Sequence, residues 1–177
     1  MGFKYAIRSD KLHFMTHTIV DWVDVFTRRE LADVVVNSLN YCIENKGLEV
    51  YVWCLMSSHL HMIAATARAK DDLSGVMRDF KKFTSKEIIE RISEINESRK
   101  DWLQKHFQTG SKSFQVWQEG MHPIELFTKR FTDQKMDYIH NNRVAAGIVR
   151  EPQDYLLSSA GDYFMNRKGL VRIFYIE

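Results

Sequence analysis

The sequence predicts an α+β fold, a small antiparallel sheet with helices packed on one face. Three observations predict it. Short runs of β-branched and aromatic residues alternate with long segments of helical period. Two of those runs, 48–56 and 59–66, are separated only by Ser57-Ser58 and read as a hairpin. No GxGxxG or GxxxxGK[ST] stretch supports a nucleotide-binding parallel sheet. The resulting order, β-α-β-β-α-(β)-α, fits a ferredoxin-like arrangement better than a Rossmann one. Such a sheet buries one face and leaves the other for a ligand.

Each element has its own signal. Segment 12–20, LHFMTHTIV, reads as the first strand. Segment 28–45 sets Leu31, Val34, Val35, Leu39 and Cys42 at helical spacing, and Lys46-Gly47 ends it. The hairpin 48–66 follows. Segment 72–95 is the long helix, with a buried stripe of Leu73, Val76, Met77, Phe80, Phe83, Thr84, Ile88, Ile92 and Ile95. Arg78, Lys81, Lys82 and Lys86 lie on its other side. Residues 96–113 are polar and irregular toward their end, and 114–118 is a strand or an extended stretch. Segment 125–146 reads as a third helix ended by Gly147. The tail is expected to add a short helix near Tyr155–Ala160 and a final strand over 170–176.

At 177 residues the chain suits one domain, 1–177, with a C-terminal extension from about residue 152. That length buries a core without disulfides or metal staples. Cys42 and Cys54 lie in apolar stretches without partners at metal-ligand spacing, so they read as buried thiols. No apolar run suits a signal peptide or a membrane span, which points to a reduced, intracellular setting. The net charge of +2 hints only weakly at a nucleic-acid partner.

Two segments carry candidate chemistry. In His59-Leu60-His61 the imidazoles are two residues apart on a strand and share a face, while Leu60 and Met62 take the other. Two such imidazoles can share a divalent metal, given further oxygen donors; they can also be a half-exposed polar pair. His13 and His17 share a face of the first strand, where they line the same cleft or, as preferred here, sit at the surface. In the last helix, Tyr138 and Asn142 are one turn apart, Lys135 lies near the same face, and Met136 and Ile139 point to the core. A tyrosine there can attack phosphorus, leaving a phosphotyrosine and a free 3′ hydroxyl. It can equally be half-buried packing, like Tyr5, Tyr41, Tyr51, Tyr155, Tyr163 or Tyr175. The Asn142 carbonyl oxygen could serve as a third metal ligand. His140 faces away from Tyr138 and takes no role.

These stretches resemble a known family. VYVWCLMSSHLHMIAA is similar to the histidine-hydrophobe-histidine motif of the IS200-like, single-tyrosine HUH transposases. Trp117-Gln118 with His122, then Asp137-Tyr138-Ile139-His140-Asn141-Asn142 and Gly147-Ile148-Val149, resemble the later motifs of the REP-associated tyrosine transposases. The resemblance spans about residues 12–160 and rests on three motifs in order. It implies an HUH endonuclease fold and a metal-dependent endonuclease and strand transferase. Such an enzyme cuts single-stranded DNA near hairpins through a 5′-phosphotyrosine. Carried over by residue, it implies His59 and His61 as metal ligands, Asn142 as a third, Tyr138 as nucleophile and Mg2+ or Mn2+ as cofactor. It also implies a homodimer in the cytoplasm of a prokaryote, associated with DNA. The chain departs from the family at Ser57-Ser58, where a proline turn is common, and at Arg143, which replaces a proline and lets the helix continue.

Arg78, Lys81, Lys82 and Lys86 are the first candidates for phosphate contacts, or else an ordinary solvated helix face. Lys135 pairs with phosphate or favours the phenolate. His122 is a DNA-contact candidate or a plain loop histidine, and Lys112 and Arg143 are weaker additions. Trp117 or Phe114 stacks on a base or belongs to the core. The alternatives are a catalytically silent hairpin-DNA-binding protein on the same fold, or an unrelated metal hydrolase or structural α+β protein.

Overall fold

The computed structural model describes residues 11–67, 72–111 and 113–176. Lys112 and Tyr5 lie outside the described residues. Four antiparallel strands run in the order β2-β3-β1-β4: β1 is His13–Thr18, β2 Leu48–Leu55, β3 His59–Thr66 and β4 Ile124–Glu125. The β2–β3 pairing is the expected hairpin, closed by Met56 N–H donating to the His59 carbonyl at 2.7 Å. A register shift between Val50 and Val52 turns both Tyr51 and Val52 toward one side of the sheet.

Helices α1 (Arg29–Asn45) and α2 (Leu73–Glu94) pack on one face, as the sequence predicts. Leu31, Val35 and Leu39 from α1 and Met77, Phe80, Ile88 and Ile92 from α2 meet Met15, Trp53, Leu55, Leu60 and Met62 of the strands in one core. Phe83 is the exception in the predicted stripe: it is 55% exposed. A short helix α3 (Lys100–Phe107) was not expected in the polar 96–113 segment. It is anchored by Leu103 and Phe107, one turn apart and buried in the same core.

Helix α4 (Lys129–Ala145) lies across the other face. Its Ile139 joins Phe14, Val52, Cys54 and Ile63 in a second, smaller core. The sheet therefore has helices on both faces, and the second face is covered only in part. Helix α4 also starts later than the periodicity suggests. Ile124 and Glu125 pair with β1 instead, and Thr128 caps the helix by accepting from Phe131 N–H at 3.2 Å. Gly147, at φ 70, ends the helix as predicted, with Ile148 N–H reaching back to the Arg143 carbonyl at 3.0 Å.

The C-terminal segment covers the outer edge of β2. Leu55 N–H donates to the Leu157 carbonyl at 2.8 Å and Ser159 N–H to the Trp53 carbonyl at 3.0 Å, so this edge is not left unpaired. The short helix α5 falls at Ala160–Met165, after the predicted position. Residues 170–176 form no regular strand. They run extended, with one backbone bond from Phe174 N–H to the Val50 carbonyl and two bonds to the Asn40 side chain. Residues 114–118 pair only through isolated bridges, Phe114 with Gln108 and Trp117 with Ile19. No described helix is long and apolar enough to cross a membrane.

Candidate active site

The face shared with α4 carries the histidine pair. Antiparallel pairing sets His59 opposite Thr18 and His61 opposite Thr16. Because side chains alternate, these residues and Phe14 share the face away from α1 and α2. The two imidazole centroids lie 4.6 Å apart. His61 Nδ1 is hydrogen-bonded to Thr16 Oγ1 at 2.8 Å, and His59 Nδ1 to Ser58 Oγ at 3.1 Å. In the tautomer that donates Nδ1–H to its hydroxyl, each ring keeps the lone pair on Nε2, where it can ligate a metal. His61 Nε2 is buried and has no hydrogen-bond partner. Burial, His59 and Lys135 push the His61 pKa down to about 3, and burial followed by Arg143 lowers that of His59. Both rings are therefore held neutral, as ligands must be.

Tyr138 comes from α4 and meets the pair. Its ring centroid is 5.3 Å from that of His61 and 6.0 Å from Phe14. At 49% exposure the ring is half open to solvent at the mouth of the site. Lys135 Nζ lies 4.6 Å from the Phe14 centroid and 5.8 Å from that of Tyr138, bringing a positive charge beside the phenol. Asn142, one turn on, donates through Nδ2 to the Tyr138 carbonyl at 3.3 Å, so Oδ1 is the atom it can offer a cation.

The donor set fits a hard or borderline divalent ion only with help. Among the described residues no three His, Cys, Asp or Glu side chains gather as a metal site. The two Nε2 atoms would need oxygen from Asn142 and from the ligand itself. The buried, unpartnered His61 Nε2 is the observation that fits such an ion.

Other sequence candidates lie elsewhere. Helix α2 packs on the opposite face of the sheet, so Arg78, Lys82 and Lys86 are not gathered with the histidines. Arg78 and Lys86 pair locally with Asp79 and Glu90. Lys81 is not a free surface cation: its Nζ donates to the carbonyls of Gln118 and Gly120. His122 sits exposed in the loop before β4. His13 and His17 are not surface residues. Both are buried on the α1–α2 face, His17 against Phe80 and Trp117, where burial lowers its pKa to about 3. Trp117 is core, donating Nε1–H to Thr84 Oγ1 at 2.8 Å. Arg143 is buried too, donating to the Tyr155 hydroxyl at 2.6 Å and the Leu55 carbonyl at 3.3 Å, which removes it as a DNA contact. His140 faces away as expected, hydrogen-bonded to Ser159 Oγ at 2.9 Å. Sequence reasoning missed Thr16 and Trp22, whose ring lies 5.2 Å from that of His59. Thr16 could be found only once the β1–β3 register was known.

An antiparallel sheet with a His-x-His strand facing a helix-borne tyrosine defines the HUH single-tyrosine class. The chain belongs to the IS200-like transposase family, whose pattern, "Transposase IS200 like", matches residues 7–142. That span holds His59, His61, Tyr138 and Asn142. The fold is similar to that of a REP-associated tyrosine transposase bound to a REP hairpin, with a TM-score of 0.65 and 16% identity, covering 100% of this chain and 93% of that one. It is also similar to a proposed transposase from Deinococcus radiodurans R1, with a TM-score of 0.51 and 13% identity over 80% of this chain and 95% of that one. No curated protein matches the chain.

Proposed function

We propose that this chain binds single-stranded DNA folded into a hairpin, at the face that carries His59, His61 and Tyr138. Membership in the IS200-like family carries this reading, and the likeness in fold to a relative bound to a REP hairpin supports it. Lys135 is the proposed phosphate contact at the site. Arg78, Lys82, Lys86 and His122 are proposed as further contacts on DNA that extends past it, and a homodimer would bring two such faces together.

A second reading adds chemistry, and one observation favours it: Tyr138 lies against His61, whose Nε2 has no protein partner. In this reading His59, His61 and Asn142 hold Mg2+ or Mn2+. A bound ion of this kind supplies Lewis-acid polarisation of a phosphate oxygen. Tyr138 Oη attacks the phosphorus and forms a 5′-phosphotyrosine. The bond to the 3′ oxygen breaks, and that oxygen takes up a proton, matching the one Tyr138 Oη loses to solvent, and leaves as a free hydroxyl. Lys135 stabilises the negative charge on the phenol and the phosphate.

One incubation separates the readings. Labelled hairpins from the flanks of the chain's own gene, with Mg2+ or Mn2+, are split between a native and a denaturing gel. A native shift that favours the hairpin over a scrambled strand is expected from the binding reading. A covalent band on the denaturing gel, absent from Tyr138→Phe and abolished by chelator, is expected from the second. A native shift without a covalent band leaves a silent hairpin binder. No native shift contradicts both.

A further inference from the structure

Trp22 sits beside the histidine pair without a packing reason. The ring is 58% exposed and meets the His59 ring edge-on. Its backbone stands at φ 58, and the preceding Asp21 stands at φ 53. Two consecutive left-handed residues, neither of them glycine, are unfavourable and persist only where the surroundings impose them.

Here the surroundings do impose them. Ile19 N–H donates to the Ser58 carbonyl at 2.8 Å, Val20 N–H to the Val116 carbonyl at 2.9 Å, and Phe26 N–H to the Ser57 carbonyl at 2.9 Å. Trp22 N–H closes a tight turn onto the Ile19 carbonyl at 2.9 Å. The strained loop is thus laced to the Ser57-Ser58 turn that leads into His59. Its effect is to hold a large apolar ring in solvent, at a fixed place next to the site.

The rings form a row. Trp22 touches His59, His59 touches His61, and His61 touches Phe14 and Tyr138. Lys135 stands over the far end. A strand whose phosphate lay at the histidines, near Lys135, would bring a neighbouring base to Trp22. We propose that Trp22 is a stacking platform for one unpaired base of the single-stranded segment that flanks a DNA hairpin. The proposal rests on the DNA-binding reading above. Indole offers the widest aromatic face to a base, and such stacking is tolerant of sequence. Trp117 and Phe26, also near this end of β1, are both buried, so neither can take that part.

The test measures binding by fluorescence anisotropy with two labelled probes. One is a DNA hairpin carrying single-stranded thymidine flanks, and the other is the same hairpin with blunt ends. Trp22→Ala is expected to weaken binding of the flanked hairpin about 5- to 100-fold and to leave the blunt hairpin unchanged. Trp22→Phe recovers most of the loss. Trp22→Gly binds as weakly as Trp22→Ala, yet its unfolding midpoint does not fall, because glycine accepts the positive φ. A merely structural Trp22 would lower that midpoint and weaken both probes alike, which overturns the proposal. Equal binding of the flanked probe by wild type and Trp22→Ala also overturns it, while leaving the DNA-binding reading in place. Failure of the wild type to bind either probe overturns that reading and the stacking with it.

Discussion

His61 shows how much a single residue owes to its neighbours. Its ring is set by Thr16 Oγ1 from the adjacent strand, and its free nitrogen is buried without a partner. Removing that hydroxyl while keeping the shape leaves the ring unoriented. In the reading in which the pair holds a metal ion, Thr16→Val is expected to weaken Mn2+ binding by about 10- to 100-fold, read by calorimetry, with little change in fold. An unchanged affinity would mean that Thr16 does not set the ring. The His59–His61 pair was legible in the sequence because a strand has a period of two and fixes both side chains on one face. His13 and His17 follow the same rule, but strand period alone does not tell which face is buried. Which side of a strand is buried depends on where the helices land, and α1 and α2 land on theirs. Trp22 was not legible at all, since a positive φ in a residue other than glycine leaves no mark in the sequence.

At the scale of elements, α4 is held by a residue that looked like a surface cation. Arg143 donates from inside the helix to the Tyr155 hydroxyl and the Leu55 carbonyl, and its guanidinium lies over the Tyr155 ring. It ties α4 to β2 and to the C-terminal segment at once. Arg143→Ala takes the charged donor from the Tyr155 hydroxyl and one of two donors from the Leu55 carbonyl, which keeps its bond from Tyr155, and is expected to cost about 1–3 kcal/mol in urea unfolding. A cost under about 0.5 kcal/mol would instead mark Arg143 as a surface residue. The turn before α3 depends on Glu97. Its carboxylate accepts from the Arg99 backbone N–H at 2.9 Å and from Arg28 Nε at 3.0 Å. The Arg99 N–H first, then the two guanidinium groups, pull its pKa from 4.5 down to about 2. The folded value lies below the unfolded one, so the stability it contributes is complete above pH 4.5 and is lost as pH falls toward 2. Glu97→Gln should lose about 2 kcal/mol at neutral pH and flatten the stability curve over that window, as read by acid titration of unfolding. A curve as steep as that of the wild type would contradict the assignment. The long helices and the hairpin were legible because each repeats its period many times. Helix α3 has only Leu103 and Phe107 to announce it, and β4 has two residues, so tertiary contact decides both.

The whole molecule divides its work between the two faces of the sheet. One is sealed by α1 and α2 around the main core. The other is half covered by α4, and the uncovered half holds a row of rings with Lys135 at its end. This division was legible in outline, since the sequence predicts an antiparallel sheet with one free face. The placement of α4 was not, because Ile139 and Met136 give it too narrow an apolar stripe to reveal which face it would cover. We propose that the half-covered face receives hairpin DNA. It is tested most directly by comparing the affinity of wild type and Lys135→Glu for a hairpin and for a scrambled strand of the same composition, at one fixed salt concentration. Wild type is expected to prefer the hairpin, and charge reversal at Lys135 to weaken hairpin binding by about 10-fold or more. Equal affinity of wild type for both strands, or hairpin binding untouched by Lys135→Glu, would contradict it.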